Sequence, residues 1–397
     1  MEYWLLIAPA LEHSIAPFLP LLGMALGYAL LMWFNPIRLS FRDGLRCLAR
    51  FERVWLTFAV LGFAYSIFQF VTFTPLTSTA DLDMHQVGSI ATWHWPKFVE
   101  VWGEVPLPVL EGLAGLFDNA ATTYPLSVVA AVMMLFNWRR LHGGFYTAVR
   151  KRFGFWGFLI YTIVLLSAFA TLMKPIVFWR LPLWEGEMAS ARLVQISATV
   201  DASAFIFEYL FGVYIQVYLI TVCLAWIKGL SFTEPALFQF AMRRFSYVLE
   251  WAGVVVIVST LLVRVPLLLA YFREIPNVLD WLPLQRAVMG TLLILFCSVQ
   301  ISLVLHNEKL REAIRAHWEF LRRNAGRFGW FLLIAGLQFF ILVSADAIMR
   351  GAIADRTPAL LMWKALYVLA RAFVTGWLLA SWVCLFRQCE TARIGQE

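Results

Sequence analysis

The sequence predicts an all-α, polytopic transmembrane helix bundle of about nine spans, and three observations carry that expectation. Apolar residues fill 61% of the 397 positions and charged residues only 14%, where a soluble domain carries about 25%. Apolar runs of the ~20 residues needed to cross a hydrocarbon core recur along the whole chain. The segments between them alternate between basic and acidic or balanced, the pattern that the positive-inside rule produces.

A chain this apolar cannot cover its own surface with polar groups in water, and lipid as solvent removes the difficulty. The 18 Trp and 34 Phe fit the same environment, because aromatic rings collect at membrane interfaces. The longest polar stretch, 74–118, still contains Trp93, Trp95, Phe98, Trp102 and Leu107. A single integral membrane domain over 1–397 is therefore expected. The net charge of +7 does not point to nucleic acid, because the basic residues lie in short clusters between apolar runs. Cys223, Cys297 and Cys384 fall within spans, Cys47 in a basic loop and Cys389 in the tail, so neither a disulfide nor a CxxC-type metal site is expected. The residues Met1 to Trp4 lack the basic start of a secretory signal, and 3–16, broken by Pro9 and followed by Pro17, reads as an interfacial segment.

In order, the expected spans are roughly 18–34, 54–73, 119–137, 154–179, 204–227, 247–271, 286–305, 329–347 and 359–386. After the first come Arg38, Arg42, Arg46, Arg50 and Arg53 against Asp43 and Glu52. After the third come Arg139, Arg140, Arg150, Lys151 and Arg152 with no acid. Lys228, Arg243 and Arg244 against Glu234 follow the fifth, and Lys309, Arg311, Arg315, Arg322, Arg323 and Arg327 follow the seventh. The segment 74–118 instead carries Asp81, Asp83, Glu100, Glu104, Glu111 and Asp118 against Lys97 alone. This alternation predicts a bacterial-type inner-membrane protein with its N-terminus outside and its C-terminus cytoplasmic.

Each basic segment also carries a short motif before an even-numbered span. The copies begin at Phe41, Phe145, Phe238 and Leu310, with Gly or Ala three positions on and Arg46, Arg150, Arg243 and Arg315 five positions on. On a basic amphipathic helix that spacing presents a small face to lipid or protein and an arginine at headgroup level. The motifs divide the chain into helix-pair units 18–73, 119–179, 204–271 and 286–347, plus a last span at 359–386. Either parallel duplication or recurrent positive-inside anchoring accounts for them. A basic helix feeding each apolar span resembles poorly characterised bacterial multi-pass membrane proteins, including the membrane domain fused to some glycerophosphodiester phosphodiesterases. The resemblance covers the pattern of the whole chain and rests on no catalytic motif. It implies a multi-pass helical fold with cytoplasmic amphipathic helices and no activity.

Ionisable residues inside spans are candidates for function by default. Arg371 lies twelve residues into the last span, roughly 18 Å at 1.5 Å per residue. Lys364, Lys174 and Arg264 add cations, and Glu208 and Asp346 add acids, all in the outer halves of spans. Positive-inside bias does not put cations there. Pro175 and Pro266 adjoin two of them, and a proline inside a span frees a carbonyl and bends the helix. Two readings follow: these groups line an anion-attracting cavity, or Lys174 and Arg264 snorkel while Arg371 pairs with Glu208 or Asp346. In the segment 74–118, Asp81, Asp83, His85 and His94 offer the donor types for a divalent metal, against a solvated loop capped by an interfacial helix over about 97–117. HExxH, Walker A, GxSxG and GxGxxG motifs are absent from the sequence, and no cofactor is expected. Three functions remain open. One is a transporter or permease-like protein handling lipids or anions, with anionic membrane lipids as partners. Another is a non-catalytic subunit with protein partners in a membrane complex. The third is a membrane-embedded enzyme acting on lipid-linked substrates.

Overall fold

The computed structural model describes residues 19–50, 105–119, 124–136, 143–180, 187–230, 233–266, 282–306, 309–353 and 357–394, with isolated positions within 52–60 and at 268–269. Among them every regular element is helical. In chain order these are α1 (Leu19–Trp33), α2 (Arg38–Arg50), α3 (Pro106–Phe117), α4 (Tyr124–Phe136), α5 (Gly143–Phe153), α6 (Trp156–Arg180) and α7 (Glu187–Ile227). There follow α8 (Glu234–Ser259), which runs on through a π-helical turn (Thr260–Arg264), then α9 (Leu282–Leu295), α10 (Val299–His306), α11 (Leu310–Ile353) and α12 (Thr357–Ile394).

Five helical stretches are long and apolar enough to cross a membrane: Trp156–Lys174, Thr199–Ile227, Ala236–Arg264, Leu310–Met349 and Ala365–Glu390. Counted as one span, α9 and α10 make a sixth, bent by 41° at a short break. The shorter apolar stretches Leu21–Trp33, Pro106–Phe117 and Ser127–Phe136 lie in α1, α3 and α4. The chain is thus an all-α, multi-pass membrane protein. Most of the expected span 54–73 lies outside the described residues, and each of the other eight overlaps a helix.

All four motif copies are helical, and Arg46, Arg150, Arg243 and Arg315 are exposed in every one. The small residue of the motif is buried in three copies, as Gly44, Ala241 and Ala313. In α2 its role is visible: a Cβ on Gly44 would come within 2.7 Å of the Ser381 backbone nitrogen, so α2 lies directly on α12. Gly154 takes φ +57 between α5 and α6, a left-handed turn that suits glycine and swings the chain from the basic helix into the span. Asn324 breaks α11 with φ −120 and ψ 18, its side-chain amide donating to the Phe320 carbonyl at 3.2 Å. The basic half of α11 is thereby separated from its apolar half.

A chain of polar contacts ties the basic segments together at one end of the bundle. Arg152 on α5 pairs with Glu250 on α8 at 2.8 Å, and Arg244 on α8 donates to the Leu305 carbonyl of α10 at 3.3 Å. His306 of α10 meets Glu390 of α12, and Arg327 of α11 donates to Cys389 at 3.7 Å. Gln388 of α12 accepts from Ser40 and donates to Asp43 on α2, at 2.6 and 3.3 Å. Arg264 lies twenty residues from Arg244 along α8 and its π turn, or roughly 30 Å, which is the thickness of the hydrocarbon core. It marks the opposite end.

Two kinds of packing hold the core. Where α6 crosses α7 the contact residues are small, and the Ser167 hydroxyl enters the α7 backbone ladder, accepting from Phe207 N–H at 2.7 Å and donating to the Ser203 carbonyl at 2.5 Å. Between membrane helices, small residues and hydroxyl bonds replace the hydrophobic driving force that water would supply. Near the basic end, Trp382 of α12 is 2% exposed. Its ring lies 5.2 Å from those of both Phe117 and Phe331.

Candidate functional site

With twelve residues, α3 is roughly 18 Å long and cannot cross a ~30 Å core by itself. An interfacial helix over 97–117, with Asp118 in a solvated loop, was the expectation from the sequence. The structure instead drives the end of α3 into the bundle, where Leu116, Phe117 and Asp118 are 0%, 4% and 3% exposed. A helix leaves its last carbonyls without intrahelical partners, and in an apolar interior each orphan is costly. Here side chains of two other helices supply the donors. Gln216 of α7 donates to the Leu116 carbonyl at 2.7 Å. Gln300 of α10, its amide turned so that nitrogen faces the carbonyls, donates to Phe117 and Asp118 at 3.2 and 3.0 Å.

The Asp118 carboxylate takes up a further donor. Both of its oxygens lie 2.7 Å from the Tyr209 hydroxyl of α7. Among the described residues no ion pair includes it. Asn119 donates to the Tyr209 carbonyl at 3.2 Å. Gly212, one turn on, is required by this approach, because a Cβ there would overlap the Asn119 side chain.

A bend between two helices meets this helix end. Between α9 and α10 the chain makes tight turns, Cys297 N–H to the Ile294 carbonyl at 3.2 Å and Val299 N–H to the Phe296 carbonyl at 3.1 Å. Gln300 sits in the first turn of α10, immediately past this break. Beside it Ser298 Oγ shares a 2.6 Å hydrogen bond with His317 Nδ1 of α11, a fully buried ring stacked on Phe296. The end of α3 and the bend between α9 and α10 thus converge on one polar junction of Asp118, Asn119, Tyr209, Gln216 and Gln300. No charge pattern in the sequence marks it. The available signal was the pair of amide residues inside apolar runs, Gln216 and Gln300.

At the end opposite the basic segments lies an ionic cluster. Lys174 Nζ is 2.5 Å from Asp201 and 3.2 Å from Glu208, and Arg264 closes on the other oxygen of Asp201. The Arg264 guanidinium also stands 4.5 Å from the centre of the Phe205 ring, a cation–π contact. The π turn helps to aim it, since Val265 N–H reaches back five residues to the Thr260 carbonyl and widens the helix there. The structure therefore gathers three of the predicted residues, Lys174, Arg264 and Glu208, and adds Asp201, which the sequence reading left out. Two cations face two acids, so the cluster is neutral as a unit.

The remaining predicted residues do not join it. Asp346, 3% exposed, accepts from Trp363 Nε1 at 3.0 Å. Arg371 is exposed on α12, and among the described residues it pairs with neither Glu208 nor Asp346. Lys364 lies on α12, its side chain outside those described. Asp81, Asp83, His85 and His94 lie outside the described residues, and among the described ones no group of three His, Cys, Asp or Glu side chains is placed to hold a metal ion. All five cysteines are buried free thiols. Comparison of the chain with protein-family models, with curated proteins and with solved structures finds no match.

Proposed function

We propose that the chain is a permease-like transporter of a bacterial-type inner membrane, handling a small organic anion or an anionic lipid. In this reading it spans the membrane nine times, with the basic segments cytoplasmic, the N-terminus outside and the C-terminus inside. The meeting of a buried helix end, that of α3, with the bend between α9 and α10 carries the reading. Interrupted backbone at membrane depth is tolerated where protein buries it or where it lines a polar path, and discontinuous helices of this kind build binding sites in transporters. The exposed arginines of the four motif helices support the orientation, since positive-inside bias puts such residues on the cytoplasmic face. An arriving anion has cations to meet in Lys174 and Arg264 once Asp201 and Glu208 give way.

A second reading, a non-catalytic subunit of a membrane complex, is favoured by one observation. Arg371 is exposed within the apolar stretch Ala365–Glu390 of α12, on the side of the helix opposite the exposed stripe of Met362, Leu366, Leu369 and Phe373. A charge facing lipid costs about 2.5–3.5 kcal/mol at mid-membrane, and a partner helix removes that cost. Native mass spectrometry of the protein released gently from its own membrane separates the two. Transport predicts a retained anionic ligand that Gln300→Leu loses and Arg371→Ala keeps. A stoichiometric protein partner lost in Arg371→Ala, with no small ligand, replaces it with the subunit reading.

A further inference from the structure

The junction holds a carboxyl that no cation offsets. Asp118 is 3% exposed, and the elements packed around the end of α3 bring no charge to it. On α7 the groups at hand are Tyr209 and Gln216, while the neighbouring Glu208 is turned to Lys174. Arg286 of α9 reaches Glu111 instead, at 3.8 Å and two turns back along α3. From α10 comes the amide of Gln300. From α11 come the Phe328 and Phe331 rings, with His317 held beside Ser298 and Asp346 by Trp363. Trp382 comes from α12, whose Arg387 and Glu390 pair with each other. An ionised carboxylate in such surroundings is costly, because no opposite charge repays its lost hydration.

Its hydrogen bonds fit the acid and not the anion. Both carboxyl oxygens lie 2.7 Å from the one Tyr209 hydroxyl, an ordinary length for O–H···O. Among the described residues no other donor reaches them. A phenolic hydroxyl carries a single proton, so it can serve an ionised carboxylate well at one oxygen only. A carboxylic acid supplies the second proton. Its O–H donates to the Tyr209 oxygen while the Tyr209 O–H donates to the acid carbonyl, and both contacts become hydrogen bonds.

We infer that Asp118 is a proton-binding site: its carboxyl is protonated while the junction is closed, and opening of the junction releases the proton. When Gln216 or Gln300 lets go of the end of α3, water enters. The carboxyl then ionises as an exposed aspartate does, above about pH 4, and its proton passes to a water molecule. The closed junction holds one proton more than the open one, so rising pH favours opening. The gain is up to about tenfold in the opening equilibrium per pH unit, over the range above about pH 4 in which the closed form keeps its proton. This goes beyond the transport reading and needs no solute. Where a solute passes, the same proton is the coupling ion, a consequence that rests on that reading.

Two measurements on the full-length protein in lipid vesicles test the site. Infrared spectroscopy reads the carbonyl stretch of a protonated carboxyl, which moves on transfer to heavy water. At about pH 6, between the exposed carboxylate range and neutrality, the wild type is expected to show such a band that Asp118→Asn lacks. Tyr209→Phe, with one hydrogen bond fewer to the carbonyl, moves the band to higher frequency. Hydrogen exchange across 114–119 and 296–306, corrected for the chemical rate at each pH, reads the opening equilibrium. Between about pH 5 and 7 it should rise several-fold per pH unit in the wild type, towards the tenfold limit for one proton. Asp118→Asn offers the donor and acceptor of the acid, so it keeps both Tyr209 contacts, folds as the wild type does and removes this slope. His317 and the ion pairs are unchanged in that variant, so a slope of their making survives in it. The same slope in both proteins overturns the inference, and so do infrared spectra that do not differ between them. A Tyr209→Phe band that stays in place overturns the pairing, and failure of Asp118→Asn to fold shows that the charge itself is needed. Native mass spectra without a retained anion sink the transport reading alone and leave both results expected here.

Discussion

Asp201→Asn tests whether the ionic cluster is a unit. Asp201 is the only member that touches both cations, with Lys174 at 2.5 Å on one oxygen and Arg264 on the other. Glu208 touches Lys174 alone, at 3.2 Å. The four side chains are 16–27% exposed, between a surface pair, worth about 0–1 kcal/mol, and a buried pair, whose breaking costs about 3–5 kcal/mol. Asp201→Asn removes the carboxylate that holds Arg264 and the closer of the two acids on Lys174, so a loss of about 2–3 kcal/mol is expected. Glu208→Gln leaves Lys174 on Asp201 and should cost about 1 kcal/mol or less. Reversible unfolding by SDS in mixed micelles, followed by tryptophan fluorescence, measures both. A double variant, Lys174→Met with Glu208→Gln, removes one charge of each sign and should fall well short of Asp201→Asn despite its two substitutions. Equal losses in Asp201→Asn and Glu208→Gln, or less than about 0.5 kcal/mol in Asp201→Asn, would refute the bridging role, that floor being the usual scatter of surface substitutions.

Three further outcomes are checked by the same unfolding assay. Gln300→Leu strips the donor from two buried carbonyls and should cost about 1–3 kcal/mol, more than Gln216→Leu, which strips one. Gly44→Ala forces a Cβ against the Ser381 backbone and should cost about 1–3 kcal/mol, whereas Gly253→Ala, with open space around it, should be neutral or stabilising by up to ~1 kcal/mol. Trp382→Ala empties the centre of the aromatic cluster that receives Phe117 and should cost about 3–5 kcal/mol, with the end of α3 showing the earliest gain in hydrogen exchange.

The long apolar helices were legible because hydropathy is a one-dimensional signal, set residue by residue by the bilayer, and five of the expected spans, or six with the bent pair, coincide with helices long and apolar enough to cross a membrane. The motif arginines were legible for the same reason, and all four are exposed. Partnership was not. Lys174, Asp201, Glu208 and Arg264 come from three helices, and which charges meet depends on how those helices are rotated about their axes. Asp201 illustrates the loss: it precedes the expected span 204–227 by three residues and reads as an ordinary boundary acid. The end of α3 was hidden differently. Its twelve residues are too few for a span, so amphipathic logic assigns it to an interface. What buries it is tertiary, two glutamines and an aromatic cluster waiting at its C-terminus.

Every carbonyl at the end of α3 for which the structure shows a side-chain donor is held by one of two helices, and the two are not equivalent. Gln216 sits on α7, a continuous helix of 41 residues whose ladder is buttressed by Ser167 of α6. Gln300 sits on α10, eight residues long, bounded by the bend at 296–298 and by the His306–Glu390 contact. A polar path through the junction requires at least one of these glutamines to let go, because both donors now close the backbone that would face a solute. Swinging α10 about its existing bend breaks the two Gln300 bonds, the Arg244 bond to Leu305 and the His306–Glu390 contact and shifts the buried residues Val299 to Val304, all within eight residues, while moving α7 would shift 41 residues and disturb the crossing with α6 and the ionic cluster together. The cheaper motion is therefore in α10. It has a second consequence, since Ser298 and the buried His317 ring lie beside the same hinge. If α10 is the moving part, Ser298→Ala and Gln300→Leu should both alter hydrogen exchange across 296–306, leaving α7 protected. Exchange that rises instead along α7 would place the flexible element on the other side of the junction.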